Sequence, residues 1–304
     1  MKIISASRRT DIPAFYSEWF MNRIRAGYVR WQNPFSGVPY QVSLRPEDVS
    51  AIVFWSKNYL PLLPYLDELD RLGYRMVFHF TITGLPRPFE PNVPELPDLL
   101  ESARHLADRC GPEAVLWRYD PVLVSSLTSV QYHLSRFKEI AGGMEGLTRR
   151  CHFSFPIFYD KVLRNMGKLS GETGIACYDL PKDDCIELSL QMADIGANHG
   201  IEMYSCCGDY LVAGKIKKAH CVDAELLGRL FPDRIGSIPK RPTRKQCGCF
   251  ESTDIGAYNT CPHACVYCYA NANKGVALWV RTHHDPASDM LAGGARTNAE
   301  RQAW

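Results

Sequence analysis

The sequence predicts an α/β protein in which six strand–helix units form a partial or closed barrel. Six short runs rich in Val, Ile, Phe, Trp, Met and Tyr appear in order: KIISAS (2–7), AIVFWS (51–56), RMVFHFTIT (75–83), AVLWRYD (114–120), CHFSFPIF (151–158) and IEMYSC (201–206). Each is continuous or nearly so in apolar residues, as strands buried on both faces are. They alternate with helical stretches at about 25–50 residues per unit, the rhythm of βα repeats around a parallel sheet. No Gly-x-Gly-x-x-Gly follows the first strand, which argues against a dinucleotide-binding fold, and six consecutive units favour a barrel.

The helices have readable ends. Phe15, Trp19, Phe20 and Ile24 recur at helical spacing over residues 15–26 and stop at Gly27. Leu62 to Leu72 ends at Gly73, and Leu96 to Arg109 at Gly111–Pro112. Thr128 is an expected N-cap for a helix reaching Gly142–Gly143, and Asp183 or Asp184 for one ending near Gly196–Gly200. Residues 84–97, with five prolines, and 159–180 read as long loops after the third and fifth strands, at the end where barrels place their sites. The rhythm fades over residues 208–250. The expected organisation is a barrel over residues 1–207, a cysteine-rich segment over 208–286 packed across its mouth, and a flexible tail over 287–304.

A hydrophobic share of 46% provides for a large core and excludes intrinsic disorder. The formal net charge of +2, from 35 basic and 33 acidic residues, gives no pull towards duplex nucleic acid or an anionic membrane. No run of 18 apolar residues exists, and MKIISASRRTDIP lacks the apolar stretch of an export signal, so a cytoplasmic protein is expected.

Several strands finish in polar residues. Ser5, Ser7, Arg8, Arg9 and Asp11 follow the first strand, and Trp55, Lys57 and Asn58 end the second. His79, Thr81 and Thr83 share one face of the third, Arg118 and Asp120 close the fourth, and Ser154 lies on the fifth. One strand-end charge is commonly just solvated. Five strands doing so at one end describe a ligand pocket, whose arginines and lysine suit a carboxylate or phosphate.

Twelve cysteines without an export signal point to metal or catalytic use rather than disulfides. Cys110, Cys151, Cys177 and Cys185 are scattered, and the other eight fall between Cys206 and Cys268. Cys261-Pro-His-Ala-Cys265-Val-Tyr-Cys268 offers three thiolates that can bind three irons of a cuboidal cluster and leave the fourth open, whereas structural zinc takes four closed ligands. Cys206 or Cys207 with Cys221, Cys247 and Cys249 could hold a second iron–sulfur cluster, a zinc ion or nothing. His283 and His284 are expected in solvent.

The C-x3-C-x2-C spacing, with an aromatic residue before the last cysteine, resembles the radical S-adenosylmethionine superfamily. CPHACVYCYA is most similar to its spore photoproduct lyase branch. From SASRRTDIP through FWSKN and WRYDP to the terminal cysteines, the chain as a whole resembles an uncharacterised bacterial family. The first resemblance implies a partial (βα)6 barrel, a 4Fe–4S cluster on Cys261, Cys265 and Cys268, bound S-adenosylmethionine and a 5′-deoxyadenosyl radical. Tyr267 would lie near the adenine. Arg8, Arg9, His79, Arg118 and Asp120 would contact the cofactor, and Lys57, Arg118 and Asp120 would serve catalysis. In that superfamily the motif follows the first strand, whereas here it follows all six. Either the order is permuted or the C-terminal segment carries the loop back over the mouth. The expected partners are a small-molecule or peptide substrate and a flavodoxin- or ferredoxin-type electron donor. Two other functions are nucleic-acid lesion repair, disfavoured by the balanced charge, and a non-catalytic iron–sulfur or zinc protein.

Overall fold

A computed structural model describes residues 1–32 and 38–292. The chain opens with β1 (Lys2–Ala6), the short α1 (Ile12–Phe15), α2 (Ser17–Ala26) and a hairpin of β2 (Tyr28–Gln32) and β3 (Pro39–Ser43). Then come β4 (Val49–Ser56), α3 (Leu66–Arg71), β5 (Met76–Thr81), α4 (Leu96–Cys110), β6 (Val115–Tyr119), α5 (Val130–Met144) and β7 (Arg150–Phe153). The remainder is α6 (Asp160–Thr173), α7 (Lys182–Asn198), β8 (Glu202–Ser205), β9 (Lys217–Lys218), α8 (Ala224–Leu230), β10 (Thr253–Asp254) and α9 (Lys274–Thr282).

Eight strands form one sheet in the order β10-β1-β4-β5-β6-β7-β8-β9, and among the described residues every pairing in it is parallel. The six apolar runs are β1 and β4 to β8. Their two faces alternate with the period of the strand. Ile4, Phe54, Phe78, Trp117 and Phe153 pack outwards with Trp19 and Phe20 of α2, Leu99 of α4, Phe137 of α5 and Leu188 of α7. Burying each such side chain is worth about 1.5–3 kcal/mol. The opposite face carries Ile3, Val53, Val77, Leu116 and Tyr204 against Val222, Leu226 and Leu227. There the His79 and His152 rings, two strands apart, meet at 5.2 Å, and His79 Nε2 lies 2.6 Å from Cys221 O, so this face is concave and residues 219–227 run through it.

The sheet differs from the expected barrel: among the described residues it does not close. Its edge strands β9 and β10 are two residues long, and between the flanking segments the Phe250 amide donates to Val222 O at 3.0 Å. The segment beyond residue 207 is not merely laid over the mouth, since β9 and β10 form the two margins of the sheet. The supposed loop at 159–180 contains α6, which buries Val162, Met166 and Leu169 at helical spacing. Ser129, not Thr128, caps α5, because Thr128 Oγ1 is committed to Leu123 O. Pro181 precedes α7 and places Asp183 and Asp184 inside its first turn. Of the expected flexible tail, residues 287–292 are described and several are docked: Arg23 donates to Ala287 O, Trp19 to Ser288 O, and the Arg30 amide to Asp289 O. Residues 293–304 lie outside the described residues. His284 is also not in open solvent, since its ring meets Tyr16 edge-on at 4.8 Å. Among the described residues no helix is long and apolar enough to cross a membrane.

Candidate functional site

All the parallel strands point one way, so the residues following them gather at one end of the sheet. On the concave face this end carries a layer of aromatic and charged groups. Trp55 stacks on His79 at 4.2 Å, and the Arg118 and Arg8 guanidiniums sit over the Trp55 ring at 5.4 and 5.7 Å. Arg118 pairs with Asp120, whose other oxygen accepts from Ser154 Oγ. Burial, then the nearby Arg118 charge, holds the His79 imidazole well below the ordinary histidine range; burial, His79 and Arg118 do the same to His152. Both rings are therefore neutral at neutral pH.

Two buried carboxylates tie this layer to the C-terminal segment. Asp11, the N-cap of α1, accepts from the Ala14 amide (2.9 Å), Ser56 Oγ (2.6 Å) and the Lys57 amide (2.8 Å), and its Oδ2 lies 2.8 Å from His263 Nε2. Glu90, in the proline-rich loop after β5, accepts from Lys57 Nζ and Thr83 Oγ1, each at 2.8 Å, and from the Tyr267 hydroxyl. Burial disfavours the Lys57 ammonium, but Glu90, Cys265 and Asp120 outweigh it and raise its pKa above the usual lysine value.

Cys261, Cys265 and Cys268 are thereby held over the carboxyl ends of β1, β4 and β5. The Val266 amide donates to Phe89 O at 3.0 Å and the Tyr269 hydroxyl to Arg8 O at 2.7 Å. The three thiols stand close enough to repel one another's ionised forms, and burial pushes the Cys265 thiol up to about 12. Lys57 acts on Cys265 in the opposite direction, and Lys161 and Lys57 do so on Cys268.

The strand before this loop, β10, supplies Asp254, which accepts from Ser5 Oγ (2.9 Å), Ser7 Oγ (2.6 Å) and the Arg8 amide (2.8 Å). Gly256 follows it so closely that a Cβ there would stand 2.5 Å from Ser7 Cβ. Gly256→Ala is accordingly expected to destabilise the protein by about 1–3 kcal/mol, the usual range for overpacking. A chemical-denaturation midpoint equal to that of the parent would refute this contact.

Of the residues singled out from sequence, the fold gathers Arg8, Lys57, His79, Arg118, Asp120, Tyr267 and the three loop cysteines at the same end. Arg9 turns aside, its guanidinium over Trp31 and Tyr258 at 5.1 and 5.3 Å. Cys206, Cys207, Cys221, Cys247 and Cys249 form a separate sulfur group beside Arg118. All twelve cysteines are free. Among the described residues no three or more His, Cys, Asp and Glu side chains are grouped so as to hold a metal ion. Glu90, His263 and Asp254 escaped the sequence reading, although His263 sits inside the cysteine motif. Two open clefts, one lined by Arg75 and Leu230 to Arg234 and the other by Glu113, Arg149, Arg150 and Glu202, belong to the opposite end of the strands.

Fold and site together define an α/β protein whose parallel sheet carries a three-cysteine loop across its carboxyl end. Residues 3–270 match the family described as a domain of unknown function, DUF1848, and the chain belongs to that family. No curated protein matches it.

Proposed function

We propose that the protein is a radical S-adenosylmethionine enzyme built on a partial, permuted (βα)6 barrel. One observation carries the reading: Cys261, Cys265 and Cys268 follow directly on β10, at the margin of the sheet beside β1, and return over the carboxyl ends of the strands next to Lys57. The run β10-β1-β4-β5-β6-β7 then counts six parallel strands with the cysteine loop after the first, the order in that superfamily. Three thiols at this spacing suit a 4Fe–4S cluster with one open iron. When bound, that cluster would supply an electron to S-adenosylmethionine and so start radical chemistry on the substrate.

The chain's own residues have separable tasks. Asp11 and His263 fix the start of the loop, and Glu90 with Tyr267 fixes its end. Lys57 places a positive charge beside Cys265, offsetting the charge of a thiolate-bound cluster. Arg8, Arg118 and Asp120, around Trp55, form the polar wall that would bind the zwitterionic amino-acid part of the cofactor or the substrate. A flavodoxin- or ferredoxin-type protein would deliver the electron, and the substrate would be a small molecule or peptide held over the concave face.

Anaerobically reconstituted protein is expected to release 5′-deoxyadenosine and methionine from S-adenosylmethionine when reduced, and Cys265→Ala to abolish this. Stoichiometric zinc with no iron, or a reconstituted cluster that leaves S-adenosylmethionine intact, would overturn the reading.

A further inference from the structure

We propose that Cys206, Cys207, Cys221, Cys247 and Cys249 hold a second iron–sulfur cluster, independent of the one assigned to Cys261, Cys265 and Cys268. These five residues come from three separate stretches: the end of β8, the strand extension after β9, and the turn before β10. The fold brings their sulfurs into a ring. Cys206 Sγ lies 3.2 Å from Cys221 Sγ and 3.9 Å from Cys207 Sγ. Cys207 meets Cys247, Cys247 meets Cys249, and Cys249 meets Cys221. None is joined in a disulfide.

The surroundings of the ring call for negative charge. Arg118 donates to Cys221 Sγ at 3.3 Å, and Arg244 to Cys207 Sγ at 3.0 Å and Cys206 Sγ at 3.8 Å. Arg118 is buried and Arg244 exposed; a neutral thiol is a weak acceptor for the buried Arg118 guanidinium, whereas thiolates ligating a metal centre are strong ones. Hydrogen bonds to the sulfurs are also the means by which proteins tune such clusters. A further observation points the same way. His152, only 1% exposed and next to Cys206, has no partner for either ring nitrogen, and burial of this kind is costly unless something polar occupies the neighbouring space.

The arrangement favours a cluster over zinc. Among the described residues no three or more His, Cys, Asp and Glu side chains are grouped so as to hold a metal ion, so either occupant, a single zinc ion or a cluster, requires these sulfurs to regroup. Two guanidiniums aimed at the sulfurs are the kind of hydrogen bond by which iron–sulfur clusters are tuned, and such a centre takes thiolates around its periphery, one for each iron. Four of the five are needed, so one of the adjacent pair Cys206 and Cys207 is spare.

Iron counting on anaerobically reconstituted protein tests the proposal. The parent is expected to carry about eight irons per chain, and Cys247→Ala/Cys249→Ala about four. Because that variant could fail to fold, the complementary one is decisive: Cys261→Ala/Cys265→Ala/Cys268→Ala, folded by circular dichroism, should keep about four irons and a reducible cluster signal in electron paramagnetic resonance. The same variant without iron, or with one zinc ion in its place, overturns the second cluster and leaves the first standing. About four irons kept by that variant, in a parent that also holds only about four, support the second cluster and overturn the first.

Discussion

Asp11→Ala is expected to free the cysteine loop from the sheet and to cost about 3–5 kcal/mol, from the loss of several charge-assisted hydrogen bonds. Asp11 is 5% exposed, and its carboxylate serves three elements at once: the first turn of α1, the end of β4 and His263 of the loop. Its removal leaves two backbone amides, a hydroxyl and an imidazole without their acceptor in a space with little water. Such a loss is a large share of the roughly 5–15 kcal/mol that holds an ordinary domain together. The loop is anchored here at its start, so alkylation of Cys261, mapped by peptide mass, should speed up before global unfolding does. A denaturation curve and a labelling rate unchanged from the parent would show that the loop is held by something else.

Glu90→Ala should be comparably damaging for a different reason. Lys57 and Glu90 are both largely buried, with side chains 11% and 4% exposed, and the pair is drawn out of water as a unit. Removing only the carboxylate strands an ammonium, and breaking buried pairs in this way costs about 3–5 kcal/mol. Replacing both partners, as Lys57→Met/Glu90→Leu, should recover most of that loss, because two apolar side chains need no solvation. If Glu90→Ala proves nearly neutral, or the double variant is as unstable as the single one, the pair is not the clamp described. The pH dependence has a definite sign. Lys57 is raised above the free lysine value of about 10.4. Its contribution is therefore complete below that pH, and it is lost as the solution becomes more alkaline than the folded-state pKa.

Much of this architecture can be read in the chain, and the parts that cannot be read have physical causes. A parallel strand buried on both faces must be apolar throughout, so AIVFWS and RMVFHF announce β4 and β5 without any partner in view. The spacing of Cys261, Cys265 and Cys268 is equally local. By contrast β10 is only Thr253 and Asp254, with no apolar run to mark it, and its identity as a strand comes wholly from pairing with Ile4 and Ser5. Glu90 stands among prolines in an irregular stretch, where no periodicity distinguishes a buried carboxylate from a solvated one. The helix over Asp160–Thr173 was hidden by Gly167 and Gly171, although Val162, Met166 and Leu169 keep its period. Closure failed as an expectation because it depends on two margins that are each two residues long. Local sequence says nothing about whether such margins meet.

The pairing of β1 with β10 also orders events in time. Ser5 and Asp254, which join the two strands, are 249 residues apart in the chain. A ribosome has therefore released most of the polypeptide before β1 can acquire its outer neighbour, and until then that edge presents unpaired amides and carbonyls to whatever is nearby. The cysteine loop, which comes after β10, has nowhere to dock earlier. The metal proposed for that loop would arrive after synthesis is nearly complete, on a scaffold already assembled, and chains cut short before residue 253 would lack the loop and be prone to associate through the exposed strand.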